Sequence, residues 1–303
     1  MSVKLHVNFK KKPVISAEDK DSSSNNEILL KGNNGCSVVL IHGLTGTPNE
    51  MRFIARFLNK EGYSVICPRL ANHGAPVGVL KKTKWESFYD SARAAFVKAR
   101  GEGGLVFVSG LSMGALLALL LSDEFKGEIS GVSCLSPTLF YDGWNMPWSR
   151  YFLPLAYSTP IKHIFYFKED SPYGIKNKKI QDMVHRQYSK TDFNNMGNVS
   201  KYGYPYFPVV LLYQLHRLVE HLKKRLKYID VPVQLIQAKE DDMTSVKNSQ
   251  FIYDRINSKV KEIVLLNDSY HVITADQERD KVAQKMIDFF NNIKYNSTNK
   301  AAA

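Results

Sequence analysis

The sequence predicts an α/β protein: a mostly parallel sheet with helices on both faces, interrupted by an aromatic-rich cap. Three observations predict it. From Ser37 to Leu135 apolar strand-like runs alternate with amphipathic helical stretches, the rhythm of βαβ units with right-handed crossovers. That rhythm stops at Pro137 and resumes near Val231, which marks an insertion into one core. A Gly-x-Ser-x-Gly segment stands where one of the strands gives way to a helix. At 303 residues, 44% apolar and 23% charged, the chain can bury a large core, which excludes disordered, collagen-like and disulfide-stapled classes.

Taken in order, residues 1–35 are polar and lysine-dotted, with Ser22 to Asn26 as a flexible joint. The first part of the core, residues 36–136, opens with a buried strand, Ser37 to Ile41. Thr47-Pro48-Asn49-Glu50 places an N-cap, a proline at N1 and a glutamate at N3, a capping box that starts a helix reaching Lys60. Tyr63 to Pro68 is the next strand, and a second capping box, Thr83-Lys84-Trp85-Glu86, opens a helix to Ala99 with Trp85, Phe88, Ala92 and Phe96 at helical spacing. Strand Leu105 to Ser109, helix Met113 to Leu121 and strand Ile129 to Leu135 follow. The second part of the core, residues 229–293, holds strands Val233 to Gln237 and Glu262 to Leu266 and a last helix from Gln277 to Ile293. The helix directs Val282, Ile287, Phe289 and Phe290 inward. Residues 294–303 read as a flexible polar tail.

The insertion, residues 137–228, carries 19 of the chain's 35 Phe, Trp and Tyr residues, a density nearly twice its share of the length. A cap over the carboxyl edge of the sheet with such rings would wall an apolar pocket for an acyl chain, and Trp144, Trp148 and Phe152 are the candidate substrate-binding residues. Packing into the cap's own core explains the same rings equally well. Val210 to Tyr228 is its clearest helix, with a leucine stripe and a basic opposite face.

Cys36, Cys67 and Cys134 are odd in number, far apart and beside apolar runs, as buried reduced thiols would be. No run approaches the roughly 18 apolar residues of a spanning helix, and the first thirty residues lack the apolar stretch of a secretory signal. The expected location is therefore the cytoplasm. With 41 basic against 29 acidic residues the formal charge is +12, which favours anionic partners. No zinc-finger spacing, basic zipper or RNP-like motif accompanies that charge, so nucleic acid is not expected. An anionic membrane surface or an acyl carrier fits the charge, and no feature of the sequence selects an oligomeric state. No cofactor or metal is expected either. Gly101-Glu102-Gly103-Gly104 precedes a strand and lacks a third glycine, Gly32 to Gly35 lacks a P-loop lysine, and neither histidines nor cysteines show ligand spacing.

Gly110-Leu111-Ser112-Met113-Gly114 follows a strand directly and enters a helix, the context a nucleophile elbow requires. Ser112 is the candidate nucleophile; the bland alternative is an ordinary helix N-cap. His42-Gly43-Leu44-Thr45-Gly46 ends the first core strand at the same edge of the sheet. The backbone amides of Leu44 and Met113 are the pair to aim at a developing oxyanion, where a lost donor costs about 3 kcal/mol. His42 reads as a structural residue of the loop.

Together with Pro68-Arg69-Leu70, Asn72-His73-Gly74 and Ser269-Tyr270-His271-Val272, these motifs make the chain resemble an α/β-hydrolase of the bacterial carboxylesterase and monoacylglycerol lipase group. The resemblance spans Ser37 to Phe290, leaves out the residues between Pro137 and Pro208, and meets Asn72 where a glycine is commoner. In that fold the order is nucleophile, acid, base. Asp241 and Asp242 follow one late strand and His271 the next. Spacing alone separates neither aspartate nor Glu240 as the acid, and the resemblance favours Asp241. His73 is the rival base. The expectation is a serine hydrolase that cleaves fatty acyl esters such as monoacylglycerols through an acyl-enzyme on Ser112. A thioesterase acting on acyl-CoA or an acyl carrier, and a ligand-binding homologue that has lost turnover, are the alternatives.

Overall fold

A computed structural model describes residues 27–189 and 203–302; the Ser22–Asn26 joint lies outside the described residues. The chain runs through β1 (Ile28–Leu30), β2 (Cys36–Ile41), a 3-10 turn Pro48–Met51, α1 (Arg52–Lys60), β3 (Ser64–Cys67), α2 (Val77–Leu80), α3 (Trp85–Gly101), β4 (Leu105–Leu111), α4 (Met113–Glu124) and β5 (Ile129–Leu135). The cap follows, with α5 (Leu153–Tyr157), β6 (Tyr166–Lys168), α6 (Lys178–Tyr188), β7 (Tyr206–Pro208) and α7 (Val209–Arg225). The core closes with β8 (Val233–Ala238), α8 (Lys247–Arg255), β9 (Lys261–Leu266) and α9 (Arg279–Ala302).

Seven strands pair in the order β1-β3-β2-β4-β5-β8-β9, parallel except for β1. The central strands are rich in apolar residues and do not alternate, because both of their faces are covered. Val39, Ile41, Val106, Val108 and Val132 pack on the side of α3 and α4, while Val38, Leu40, Phe107 and Leu135 pack on the side of α1 and α9. α4 is apolar all round and buried along nearly its whole length, lying between the sheet and α7.

The chain goes from β2 outward to β3 and then returns across β2 to β4. The helices after β2 and β4 therefore leave toward opposite faces, and a crevice opens between the two carboxyl ends, the place where α/β sheets bind ligands. This is where the sequence places Gly43–Gly46 and Ser112.

Four local expectations change. β1 lies inside the segment read as a polar extension; its three residues pair with Val65–Cys67, and so short a strand leaves no alternation to read. The segment from residue 294 on is helical through Ala302, with Lys294 Nζ donating to Asn34 O and Ser297 Oγ to Ile293 O; no glycine or proline interrupts propagation there. Neither capping box forms. Thr83 Oγ1 accepts from Asn72 Nδ2 and donates to Val79 O, while Glu50 turns away from the helix to accept the Gly43 N–H. The three cysteines are free and buried, as expected.

Candidate active site

β4 ends at Leu111, and Ser112 takes φ 57° and ψ −115° before α4 begins. A non-glycine residue held there stores about 1–3 kcal/mol of strain, sustained by its surroundings: the Ser112 N–H donates to Leu135 O at 2.8 Å. The flanking glycines are sterically required. A Cβ on Gly110 would lie 2.2 Å from Gly114 C, and one on Gly114 would lie 2.1 Å from Ile41 O. Ser112 Oγ hydrogen bonds Thr138 Oγ1 at 2.9 Å, and among the described residues it makes no bond to His271.

The loop after β2 is held at each peptide. Buried His42 donates from Nδ1 to Gly43 O at 2.9 Å and accepts the Leu70 N–H at Nε2, 3.2 Å. Burial, with His73 nearby, keeps its pKa well below the ordinary histidine value. Because N–H and C=O oppose each other across a trans peptide, the grip on Gly43 O sets the Leu44 N–H pointing away from His42. His73 Nε2 lies 2.7 Å from Leu44 O, its pKa lowered to about 4 by burial; both rings brace the loop. The backbone N–H groups of Leu44 and Met113 donate no hydrogen bond among the described residues. A Cβ on Gly43 would lie 3.7 Å from Ser112 Cβ, so loop and elbow abut.

Asp241 and Asp242 separate in space although adjacent in sequence. Asp241 Oδ2 accepts from His271 Nδ1 at 2.9 Å, and its two oxygens also accept from Gln237 Nε2, the Thr244 hydroxyl and the Met243 and Thr244 N–H groups. Asp242 Oδ1 instead accepts the His271 backbone N–H at 3.3 Å, and burial raises its carboxyl to about 6. Burial of His271 disfavours its charged form, yet Asp241, with Asp242 and Glu50 behind it, outweighs that penalty and holds the imidazole pKa above its ordinary value.

Beneath the cap lies a cavity of about 130 Å³ whose apolar wall includes Tyr141, Met146, Leu153, Phe167, Phe207 and Leu212. Asp242 and Gly174 also border it, and a Cβ on Gly174 would lie 3.2 Å from His271 Cβ. None of Trp144, Trp148 and Phe152 lines it. Trp144 is 59% exposed with Nε1–H donating to Glu240 O, and Trp148 and Phe152, 74% and 56% exposed, stack edge-on against each other. Ring content marks the cap, but which face a ring takes depends on short 3-10 and helical turns with no long-range period. Among the described residues no group of three or more His, Cys, Asp and Glu could hold a metal ion.

Residues 33–278 match the Hydrolase_4 family, described as serine aminopeptidase, S33. The chain belongs to the Hydrolase_4 family. It is 28% identical over 258 residues to a thermostable monoacylglycerol lipase from Bacillus sp. (strain H-257), covering 85% of this chain and 91% of that one. It is 25% identical over 254 residues to a carboxylesterase from Bacillus subtilis (strain 168), covering 84% and 91%. A solved structure of a soluble variant of monoglyceride lipase from Saccharomyces cerevisiae, with a substrate analogue, superposes with a TM-score of 0.68 at 19% identity over 88% of this chain and 91% of that one. The α/β-hydrolase fold is thus shared.

Within this Hydrolase_4 chain, three residues at the site escape a reading of the sequence. Thr138, just past β5, meets Ser112 Oγ. Glu50, half-buried, has the spacing of a capping-box glutamate but reaches back to Gly43; a Cβ on Gly46 would lie 2.0 Å from its carboxylate, so the Gly46–Glu50 pair is the signal that could have revealed it. Glu169, from the cap, shares a cavity of about 90 Å³ with Glu50 and accepts from Tyr188 OH. Burial raises Glu50 to about 7, and burial with the facing Glu50 raises Glu169 to about 8.

Proposed function

We propose that the chain is a serine hydrolase cleaving carboxylic esters, with fatty acyl esters such as monoacylglycerols as its substrates. The observation that carries the reading is the Asp241–His271 pair placed beside a strained Ser112 elbow. The acyl chain enters the cavity walled by Tyr141, Phe167, Phe207 and Leu212. Ser112 Oγ turns from Thr138 toward His271 Nε2, which takes its proton as Oγ attacks the ester carbonyl. The oxyanion that forms is stabilised by the Leu44 and Met113 amides, whose donors are not engaged elsewhere. Asp241 keeps the proton of the neutral ring on Nδ1, so that Nε2 is the basic nitrogen, and stabilises the imidazolium. His271 then protonates the leaving alcohol, and water hydrolyses the acyl-enzyme by the same path in reverse. The names of the two Bacillus relatives support the ester class.

The test joins labelling to turnover. A fluorophosphonate should modify Ser112 alone, and a fatty ester should be cleaved faster than the matching acyl thioester or aminoacyl amide. Labelling elsewhere, or hydrolysis undiminished in Ser112→Ala, rejects the mechanism; faster thioester or amide cleavage rejects the substrate class.

A further inference from the structure

Ser112 Oγ and Thr138 Oγ1 stand 2.9 Å apart, and Thr138 Oγ1 stands 3.3 Å from Ser136 O. Each hydroxyl has a single proton to give, whereas a carbonyl oxygen only accepts. One arrangement finds an acceptor for both protons: Thr138 donates to Ser136 O, and Ser112 donates to Thr138. If Thr138 donated to Ser112 instead, Ser136 O would lose this donor and the Ser112 proton would have no acceptor among the described residues. The proton that catalysis must hand to a base is therefore committed to a neutral hydroxyl, and Ser112 makes no bond to His271 among the described residues.

That acceptor is fixed from both sides. Ser136 takes φ 43°, a left-handed conformation that a residue with a Cβ seldom occupies, and its N–H donates to Ile236 O of β8 at 2.8 Å. Beyond Thr138 the N–H groups of Leu139 and Phe140 both donate to Asn248 Oδ1, at 2.8 and 2.7 Å. Asn248 Nδ2 donates in turn to Asp142 Oδ1 and Ser245 O. Ser136, Thr138 and Asn248 are buried. The turn after β5 is thus pinned to β8 and to α8, so rotation of the serine side chain breaks the bond to Thr138 and does not carry Thr138 with it.

We propose that Thr138 is a positioning residue that parks the Ser112 hydroxyl away from His271 in the free enzyme, so that acylation begins by breaking this bond. The proposal rests on the serine hydrolase reading, in which Ser112 is the nucleophile. Ser112 Oγ–H leaves Thr138 Oγ1 and gives its proton to His271 Nε2 as Oγ bonds to the acyl carbon, the carbonyl electron pair moving onto its own oxygen. Thr138 keeps its proton throughout. In the acyl-enzyme Oγ has no proton left to donate, so the parking bond slows acylation and leaves deacylation alone. Stabilising the ground state in this way lowers the rate of the step that departs from it.

The test measures the rate of fluorophosphonate labelling at Ser112 across pH in the wild type and in Thr138→Val, Thr138→Ala and Thr138→Ser. Valine nearly preserves the shape of threonine and alanine leaves space, so the two remove the acceptor with different effects on packing. Both should label about two- to tenfold faster than the wild type, the range of one neutral hydrogen bond, and kcat/KM for a short ester should rise with the labelling rate. Thr138→Ser, which keeps a hydroxyl, should return the rate to that of the wild type. The pH midpoint of labelling, set by His271, should stay in place in all four proteins, because the Asp241–His271 pair is untouched. Unchanged or slower labelling in the valine or the alanine variant would overturn the proposal. So would a gain shared by Thr138→Ser, which would come from space and not from the lost bond, or a moved pH midpoint, which would place the effect on His271. A wild type that is not labelled at Ser112 would reject the serine hydrolase reading itself, and this proposal with it.

Discussion

Asp241 and Asp242 have the same side chain and different partners, for one carboxylate meets the His271 ring and the other its backbone. Asp241→Asn should therefore lower kcat by roughly a thousandfold to ten-thousandfold, since an amide there favours the wrong tautomer. Asp242→Asn, which disturbs only a supporting hydrogen bond, should cost less than about a hundredfold; steady-state kinetics of the two variants would show the order. Glu50 acts at one remove, through the Gly43 N–H, one peptide before the one that carries the Leu44 N–H. Glu50→Ala should lower kcat about tenfold with little change in KM, by loss of the one hydrogen bond that holds the Gly43 N–H. Glu50→Gln, which keeps an acceptor oxygen, should recover most of it, and a loss confined to KM would reject the role. These residues differ in how far the sequence exposes them. Ser112 and His271 can be found because an elbow and a strand end constrain spacing along the chain. The choice between Asp241 and Asp242 depends on which way a side chain leaves a turn. Glu50 is hidden because Thr-x-x-Glu ahead of a helix describes a cap and equally describes a glutamate that reaches the preceding loop.

Strands β2, β4, β5 and β8 are legible at the scale of elements because burial on both faces makes them rich in apolar residues without alternation, although Ser109, Ser133, Gln234 and Gln237 are buried among them. α7 is legible because Leu211, Leu215, Leu218 and Leu222 form one stripe, all of them buried. The cap's aromatic segment has no such period, so its composition marks an unusual insertion without dividing the rings between cavity wall, cap core and exterior. The structure makes that division and moves the prediction with it. If the cavity under the cap takes the acyl chain, each added methylene contributes roughly 0.8 kcal/mol, about fourfold in kcat/KM, until the cavity is full. Leu212→Trp, on the wall, should shorten the preferred chain, and Trp148→Ala, outside it, should leave the preference for dissolved esters unchanged. A profile over an ester series that is flat from acetate onward, or that shifts with Trp148 and not with Leu212, would assign the acyl chain elsewhere.

At the scale of the whole molecule the buried ionisable groups set how stability depends on pH, and they act in two windows. Folded His42 and His73 have lowered pKa values, His73 about 4, mainly through burial, while in the unfolded chain they titrate near 6.5. Below that point the unfolded state binds more of their protons, so this pair makes stability rise with pH. Glu50 and Glu169 act in the opposite sense. Held at about 7 and about 8 in the fold against roughly 4.3 when unfolded, they keep protons in the native state that the unfolded state has already released. The raised pKa of His271 has the same sign. Below pH 6.5 the two sets partly cancel. Above it the histidine contribution is complete, and ionisation of two facing carboxyls across one small cavity lowers stability as pH rises. Glu124, Glu220 and Glu278, whose pKa values are lowered, have finished titrating by then and do not alter the slope. The midpoint of thermal unfolding, measured at constant ionic strength, should therefore fall between about pH 6.5 and 8.5. In Glu50→Gln with Glu169→Gln the fall should be distinctly shallower. A midpoint that is level or rising across that range in the wild type would mean that both carboxyls ionise at ordinary values and that the cavity between them is wetter than the packing of Tyr188, Val184 and Val272 around it implies.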